Sequence, residues 1–282
     1  VGVDEEDSMS STADDAVRAT VRETYSRIAA SDTSDGGCCS PSASSCCDSS
    51  SPISLDSTLL GYSDDDLAAV PDGADLGLGC GNPGAIAAMQ AGETVLDLGS
   101  GAGFDAFLAA RAVGPYGRVI GVDMTPDMVS RARANAETGS YDNVEFRLGE
   151  IEHLPVADGT VDVIISNCVI NLSPDKAAVF ADAFRVLRPG GRLAISDVVA
   201  SAELPDEISS DLALYSGCVA GASQISELRS MLFDAGFEDV VIAPKDESKD
   251  FIEQWAPGRR VTDYVVSATI EAVKPDARTG CC

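Results

Sequence analysis

Thiols are the reactive groups this sequence supplies in excess. Nine cysteines occur, and they fall into two kinds. Cys80, Cys168 and Cys218 stand singly in segments of small, amide and apolar residues: L-G-L-G-C-G-N-P, S-N-C-V-I-N-L-S-P-D-K and S-G-C-V-A-G-A. The other six form adjacent pairs, Cys38 with Cys39, Cys46 with Cys47, and Cys281 with Cys282. A thiolate is a soft donor, a nucleophile and a redox partner. In a reducing compartment, metal, metalloid or catalytic use ranks above a disulfide framework. The glycines beside Cys80 let the backbone bring its thiol close to a ligand. Adjacent pairs are poor zinc spacing, since tetrahedral sites prefer two or more residues between ligands. The 38–47 cluster suits capture of a soft ion or disulfide exchange, or its thiols are incidental to a linker. The single histidine, His153, reads as an incidental loop residue.

A second group of residues speaks of nucleoside binding. Residues 95–105, V-L-D-L-G-S-G-A-G-F-D, read as a buried strand, a glycine turn and the start of a helix running to 113. Gly99, Gly101 and Gly103 permit a tight turn and close backbone approach to a ligand. The spacing G-x-G-x-G is not the dinucleotide fingerprint and lacks the phosphate-loop lysine. The next strand, residues 117–123, ends in Asp123, an acid about 20 residues on, where a ribose diol is held. A turn without a phosphate clamp, followed by such an acid, points to a nucleoside cofactor. In these two elements the chain resembles the class I S-adenosylmethionine-dependent methyltransferases. The resemblance implies a Rossmann-like, seven-stranded α/β sheet.

The elements expected around these residues are as follows. A helix over 14–30 carries Val17, Val21, Tyr25 and Ile28 on one stripe and packs by default on the core, although it could cover the cofactor site. Residues 31–57 are mostly Ser, Asp, Gly and Cys and too polar to fold alone. Ser63 caps a short helix to Val70, and Pro83 starts another over 84–91. Helices over 126–137 and 174–187 alternate with strands over 144–148, 161–166 and 191–197, with Pro189-Gly190-Gly191 as a stop and turn. That alternation means a mostly parallel sheet covered on both faces. An insertion at 207–222 carries Cys218. A helix over 223–235, capped by Ser223, and antiparallel strands over 237–243 and 261–272 close the chain. This divides the chain into residues 1–58 (helix and Ser/Cys-rich loop), 59–200 (cofactor-binding domain) and 201–282 (insertion, closing strands and Cys-Cys tail).

Cys168 follows a strand at its carboxyl end, where open α/β sheets bind ligands. Cys218 lies in the insertion, and Cys80 precedes the first sheet strand. Together the three cysteine segments resemble the arsenite S-adenosylmethionine methyltransferases over residues 25–243. Physical chemistry agrees: trivalent arsenic is soft and three-coordinate, so three thiolates would hold it with its lone pair free. That lone pair is a ready nucleophile, and alignment with a methylsulfonium makes the step effectively unimolecular. The resemblance implies Cys168 and Cys218 as arsenic ligands and Cys80 as a further thiol, with Cys46 or Cys47 as the fourth of the set. It implies cofactor contacts from Asp97, Gly99, Gly101, Gly103, Asp105, Asp123, Met124, Ile151, Glu152, Asn167 and Val169. It also implies arsenite or methylarsenite as substrate, and a thiol reductant such as thioredoxin or a small thiol to restore oxidised cysteines. Cys281 and Cys282 form either a capture site for arsenite or a dispensable tail.

Composition bounds the remainder. Acids number 46 against 19 bases, a net charge of −27 that disfavours nucleic acid and anionic membrane as partners. Only 4 of the bases are Lys. Such a surface suits a halophilic host, whose salt screens the carboxylates. No apolar run reaches membrane-spanning length, and the acidic start is unlike a secretory signal, so a cytoplasmic location is expected. Two other readings remain open: a carbon- or oxygen-methyltransferase of small metabolites on the same fold, and a thiol-rich arsenic- or metal-binding protein without catalysis.

Overall fold

The computed structural model describes residues 5–31 and 55–276, with side chains from residue 14 onward. The paired cysteines Cys38, Cys39, Cys46, Cys47, Cys281 and Cys282 lie outside the described residues, as do the cluster and tail expectations attached to them.

Seven strands form one sheet in the order β3-β2-β1-β4-β5-β7-β6. They are β1 (Thr94–Leu98), β2 (Arg118–Asp123), β3 (Val144–Leu148), β4 (Val161–Asn167), β5 (Leu187–Ala200), β6 (Glu238–Lys245) and β7 (Val265–Val273). The first five pair in parallel, with Val95 level with Val119 of β2 and Val163 of β4. β7 runs antiparallel to both β5 and β6. The central strands are apolar almost throughout because both faces of the sheet are covered.

Strand alternation sorts the core into two layers. Leu96, Leu98, Ile164 and Leu193 meet Phe180 and Leu232 of helices α5 (Lys176–Val186) and α8 (Ile225–Ala235). Val95, Val119 and Val163 meet Phe107 and Val129 of α3 (Phe104–Val113) and α4 (Pro126–Gly139). Asp97 shares the parity of Val95, so its carboxylate emerges beside the start of α3. A third apolar cluster lies beyond the strand ends. It gathers Cys80, Cys168 and Cys218 with Val21 of α1 (Glu5–Ala30) and Leu214 of α7 (Leu212–Ser216).

Several expected elements differ. Residues 84–91 form no helix. The Asn82 carboxamide accepts from Ala85 N, giving one turn, and Ala88 then enters the left-handed region at φ 46°. Pro189-Gly190-Gly191 does not precede a strand but lies inside β5, where the pairing with β4 shifts register. The first helix begins at Glu5 rather than 14. The cap of α8 is Gln224, in a reciprocal box with Glu227, and not Ser223. Ser63 does cap α2 (Asp64–Ala68), paired with Asp66 in the same reciprocal manner. Residues 261–263 form a 3-10 turn, and a further helix, α9 (Lys249–Trp255), separates the closing strands. The insertion consists of α6 (Asp206–Ser209) and α7.

Candidate active site

A cleft of about 1060 Å³ opens at the carboxyl ends of β1, β2 and β4. Asp97, Gly99, Gly101 and Asp105 line it from β1 and the glycine turn, and Asp123 and Met124 from the end of β2. Ile151, Glu152, Asn167 and Val169 line it as well. Ten of the eleven residues expected from the sequence therefore meet in one cavity. Gly103 does not line it. At φ 100° it caps α3, and a Cβ there would fall 2.7 Å from the Phe107 ring. Gly99 is needed in its own right: at φ 67°, a Cβ would lie 2.3 Å from Val169.

The roof of this cleft is α1, through Arg18, Val21 and Tyr25. Its stripe both packs on the core and covers the site. Arg18 pairs with the buried Glu152 at 3.3 Å, and Arg22 with Glu150 at 3.2 Å, tying the helix to the loop after β3. Glu152 also accepts from Ser173 Oγ at 2.6 Å.

The cleft is rich in carboxylates. Asp123 accepts from Gly101 N at 3.0 Å and Thr125 N at 2.8 Å, one bond to each oxygen. The Thr125 side chain bonds it as well, leaving one of its four acceptor sites. Burial pushes its carboxyl up against the pull of these three bonds. Asp97 Oδ2 is buried with no hydrogen-bond partner, and burial together with Asp105 and Asp123 holds its carboxyl well above the usual range. Asp105 is pushed up to about 6 by burial, opposed by hydrogen bonds from Tyr62 and Asn167.

Asn167 connects this cleft to the first thiol. Its Nδ2 donates to Asp105 at 3.1 Å and to Gly81 O at 2.8 Å, while its Oδ1 accepts from Cys80 N at 3.0 Å. Gly79 and Gly81 are required by this packing. A Cβ on Gly79 would come within 2.6 Å of Asn167 Nδ2, and one on Gly81 within 2.9 Å of Ser196 Oγ.

The three single cysteines converge although they are far apart in the chain. All are buried and free. The Cys80 thiol donates to Ser196 O at 3.5 Å, and the Cys218 thiol donates to Cys168 O at 2.7 Å. Cys168 lies between the other two. Hydrogen bonds from its own thiol to Cys218 and Cys80, then burial, hold that thiol well above the ordinary value. Burial also pushes Cys80 up. Cys168 and Cys218 sit at φ 59° and 62°, a left-handed conformation that side chains rarely adopt and that gathers at functional sites.

A second cleft, of about 1330 Å³, reaches the cysteines from the other side. It is walled by α1, α7, Trp255 and Arg259, and contains Cys218. The two clefts share Tyr25, residues 77–79 and Cys168. Cys168 is therefore the cysteine that lines both. Tyr25 stands above it and donates to Ser216 O at 3.4 Å. Burial, then the Cys218 and Cys168 thiols, keep that phenol protonated.

Sequence reasoning missed Asp197, Asn171, Tyr62 and Arg18. Asp197 and Asn171 are each 1% exposed and hydrogen-bonded to one another at 2.9 Å beneath the cysteines. An acid closing an apolar strand was a legible signal, obscured in a chain holding 46 acids. Tyr62 donates to Asp105 at 2.6 Å, a contact without any sequence signature.

Residues 89–236 match a family model described as a methyltransferase domain. The sheet order and the cleft beyond the parallel strands define the same class, a Rossmann-like methyltransferase. An arsenite methyltransferase of Halobacterium salinarum is 58% identical over 269 residues, 92% of this chain and 66% of that protein. Another, of Aquipseudomonas alcaligenes, is 42% identical over 70% of this chain and 56% of its own length. The crystal structure of an arsenic(III) S-adenosylmethionine methyltransferase from Chlamydomonas reinhardtii superposes with a TM-score of 0.58 at 32% identity, over 82% of this chain and 76% of that one. The chain belongs to the arsenite methyltransferase family. It spans less than two thirds of the length of the two curated relatives.

Proposed function

We propose that this chain transfers methyl groups from S-adenosylmethionine to trivalent arsenic held by Cys80, Cys168 and Cys218. The observation that carries the reading is the position of Cys168, flanked by two buried thiols and lining two clefts. One cleft suits the methyl donor and the other the approach of arsenite.

The first cleft fits the donor on its own chemistry. Asp123 keeps an acceptor site for a ribose hydroxyl, and the unpartnered Asp97 Oδ2 suits an ammonium group. Gly99 and Val169 pack too tightly for a side chain at the turn, which keeps the floor open. Ile151 and Glu152 would border the base. S-adenosylmethionine supplies an electrophilic methyl on a sulfonium, and a carboxylate-lined cavity favours that positive charge.

Arsenite arrives as a trihydroxide. Each cysteine displaces one hydroxyl, forming an As–S bond while the thiol proton leaves with the hydroxyl as water. Three such exchanges leave a pyramidal arsenic with its lone pair free. The nucleophile needs no base, which agrees with the exposed, uninvolved position of His153. Formation of the As–C bond would consume the lone pair and raise arsenic to the pentavalent state, as the S–CH3 bond breaks and its electron pair stays on the neutral thioether of S-adenosylhomocysteine. Two thiolates leaving as a disulfide return it to the trivalent state. A thiol reductant, thioredoxin or a small thiol, then restores the cysteines, with Cys46 or Cys47 as relay and Cys281 and Cys282 as a capture pair.

We assign residues 1–58 to the roof and thiol loop, 59–200 to donor binding and 201–282 to arsenic binding and closure. No helix among the described residues is long and apolar enough to cross a membrane. With the acidic composition, this favours arsenic detoxification in the cytoplasm of a halophile, without nucleic acid or membrane as partner. The test is incubation with arsenite, S-adenosylmethionine and a thiol reductant in molar KCl, with arsenic products read by mass. Methylated arsenic is expected. Methylation of another small acceptor alone, or arsenite binding without any product, would support the two other readings.

A further inference from the structure

One buried titratable group has no part in the chemistry above. Asp197 lies in the buried stretch of β5, beside the cysteines, and is 1% exposed. One of its carboxylate oxygens, Cys80 Sγ and Cys168 Sγ all lie within 4.8 Å of one another. A three-coordinate arsenic bound to thiolates has no use for an oxygen donor at that place.

The carboxylate is held in place by its neighbours. Oδ1 accepts from Asn171 Nδ2 at 2.9 Å and Val198 N at 2.7 Å. Oδ2 accepts from Ile170 N at 2.9 Å, and the Asn171 backbone N–H also bonds the carboxylate. The group is thus fixed beside two thiols.

We propose that Cys80, Cys168 and Asp197 form a site for one zinc-class divalent cation, whose occupation excludes arsenite. Two thiolates and a carboxylate are borderline-soft ligands that favour zinc or cadmium and disfavour magnesium or calcium. Three protein ligands leave a fourth tetrahedral position, which Cys218 or water fills. Binding releases the two thiol protons to solvent and involves no redox change. Three negative ligand charges against a dication leave one in excess. The half-buried Lys176, electrostatically coupled to Asp197, offsets it. The cation and arsenite compete because both need Cys80 and Cys168. That exclusion rests on the arsenite reading, whereas the cation site does not.

The experiment uses the full chain with Cys38, Cys39, Cys46, Cys47, Cys281 and Cys282 replaced by Ser, reduced, in potassium sulfate. Cadmium is titrated and followed by its thiolate charge-transfer absorbance. One equivalent is expected to bind, and Asp197→Asn weakens it at least tenfold while S-adenosylmethionine binding shows that the variant is folded. Unchanged cadmium affinity in Asp197→Asn, or no stoichiometric binding, overturns the site. Should that variant not fold, zinc X-ray absorption of the Asp197-containing protein decides. Sulfur together with oxygen ligands supports the site, and sulfur alone or oxygen alone overturns it. Arsenite added to the cadmium form then tests exclusion. Displacement of one by the other supports it, and simultaneous binding overturns it. Cadmium binding by a protein that never binds arsenite keeps the site and removes the arsenite reading.

Discussion

Two cysteines in left-handed backbone are the feature at residue scale on which the account turns. Cys168 and Cys218 hold φ near +60°, a conformation that costs a non-glycine residue of order 1 kcal/mol or more. The surrounding bonds impose it: Cys168 N donates to Ser196 O at 2.8 Å, and Cys218 N to Tyr215 O at 3.0 Å. Glycine adopts this conformation freely. Cys168→Gly and Cys218→Gly should therefore each be more stable than the matching alanine variants by about 1 kcal/mol, read from denaturant midpoints. Equal or lower stability of the glycine forms would show that the left-handed backbone is not strained. The carboxylates give a pH prediction. Asp105 is raised to about 6 by burial, and Asp97 and Asp123 are raised as well. A cationic ligand loses their attraction when they protonate. Affinity for S-adenosylmethionine, measured by calorimetry, is expected to fall as pH drops through about 6, where Asp105 protonates. A fall beginning only near pH 4 would mean these groups do not attract the ligand.

At the scale of elements, α1 joins the two clefts, lining the first through Arg18 and Val21, the second through Thr20 and Thr24, and both through Tyr25. Its 3.6-residue periodicity was legible, and so was the strand–glycine turn–helix at residues 95–105. Both rest on local patterns of apolar and glycine residues. The roofing role stood only as the alternative to core packing, because the residue that ties this face to the cleft, Arg18, is charged and adds nothing to an apolar stripe. The helix expected at 84–91 failed for a different reason. Pro83 is a sound start signal, but Asn82 closes a single turn, and Ala88 leaves helical space after it. The convergence of Cys80 with Cys168 depends on strand order and on Asn167 bonding across 87 residues, which no local pattern encodes. The Arg18–Glu152 pair yields a prediction: with both groups largely buried, its loss should exceed the effect of a surface pair. Arg18→Ala is expected to weaken S-adenosylmethionine binding about fivefold, on the order of 1 kcal/mol. An unchanged dissociation constant would show that α1 does not hold the cleft closed.

Over the whole molecule, charge dominates. A net −27 repels itself in the folded state, and the described ion pairs rely mainly on arginine, as at Arg185 with Asp182 and Asp158. Salt shortens the reach of that repulsion from about 10 Å at 0.1 M to about 3 Å at 1 M. The melting temperature should therefore rise steadily from 0.1 M to molar KCl. A flat or falling curve would remove the halophilic reading while leaving the site untouched.

The measurement that bears most directly on the central claim is a single turnover. One equivalent of arsenite is bound to the reduced chain in molar KCl, labelled S-adenosylmethionine is added, and methyl on arsenic is counted per chain. One methyl is expected on arsenic per chain of the natural sequence and none per chain of Cys168→Ser, with the variant's affinity for S-adenosylmethionine unchanged. Methyl transfer that persists in Cys168→Ser would contradict that claim, and so would loss of S-adenosylmethionine binding in that variant.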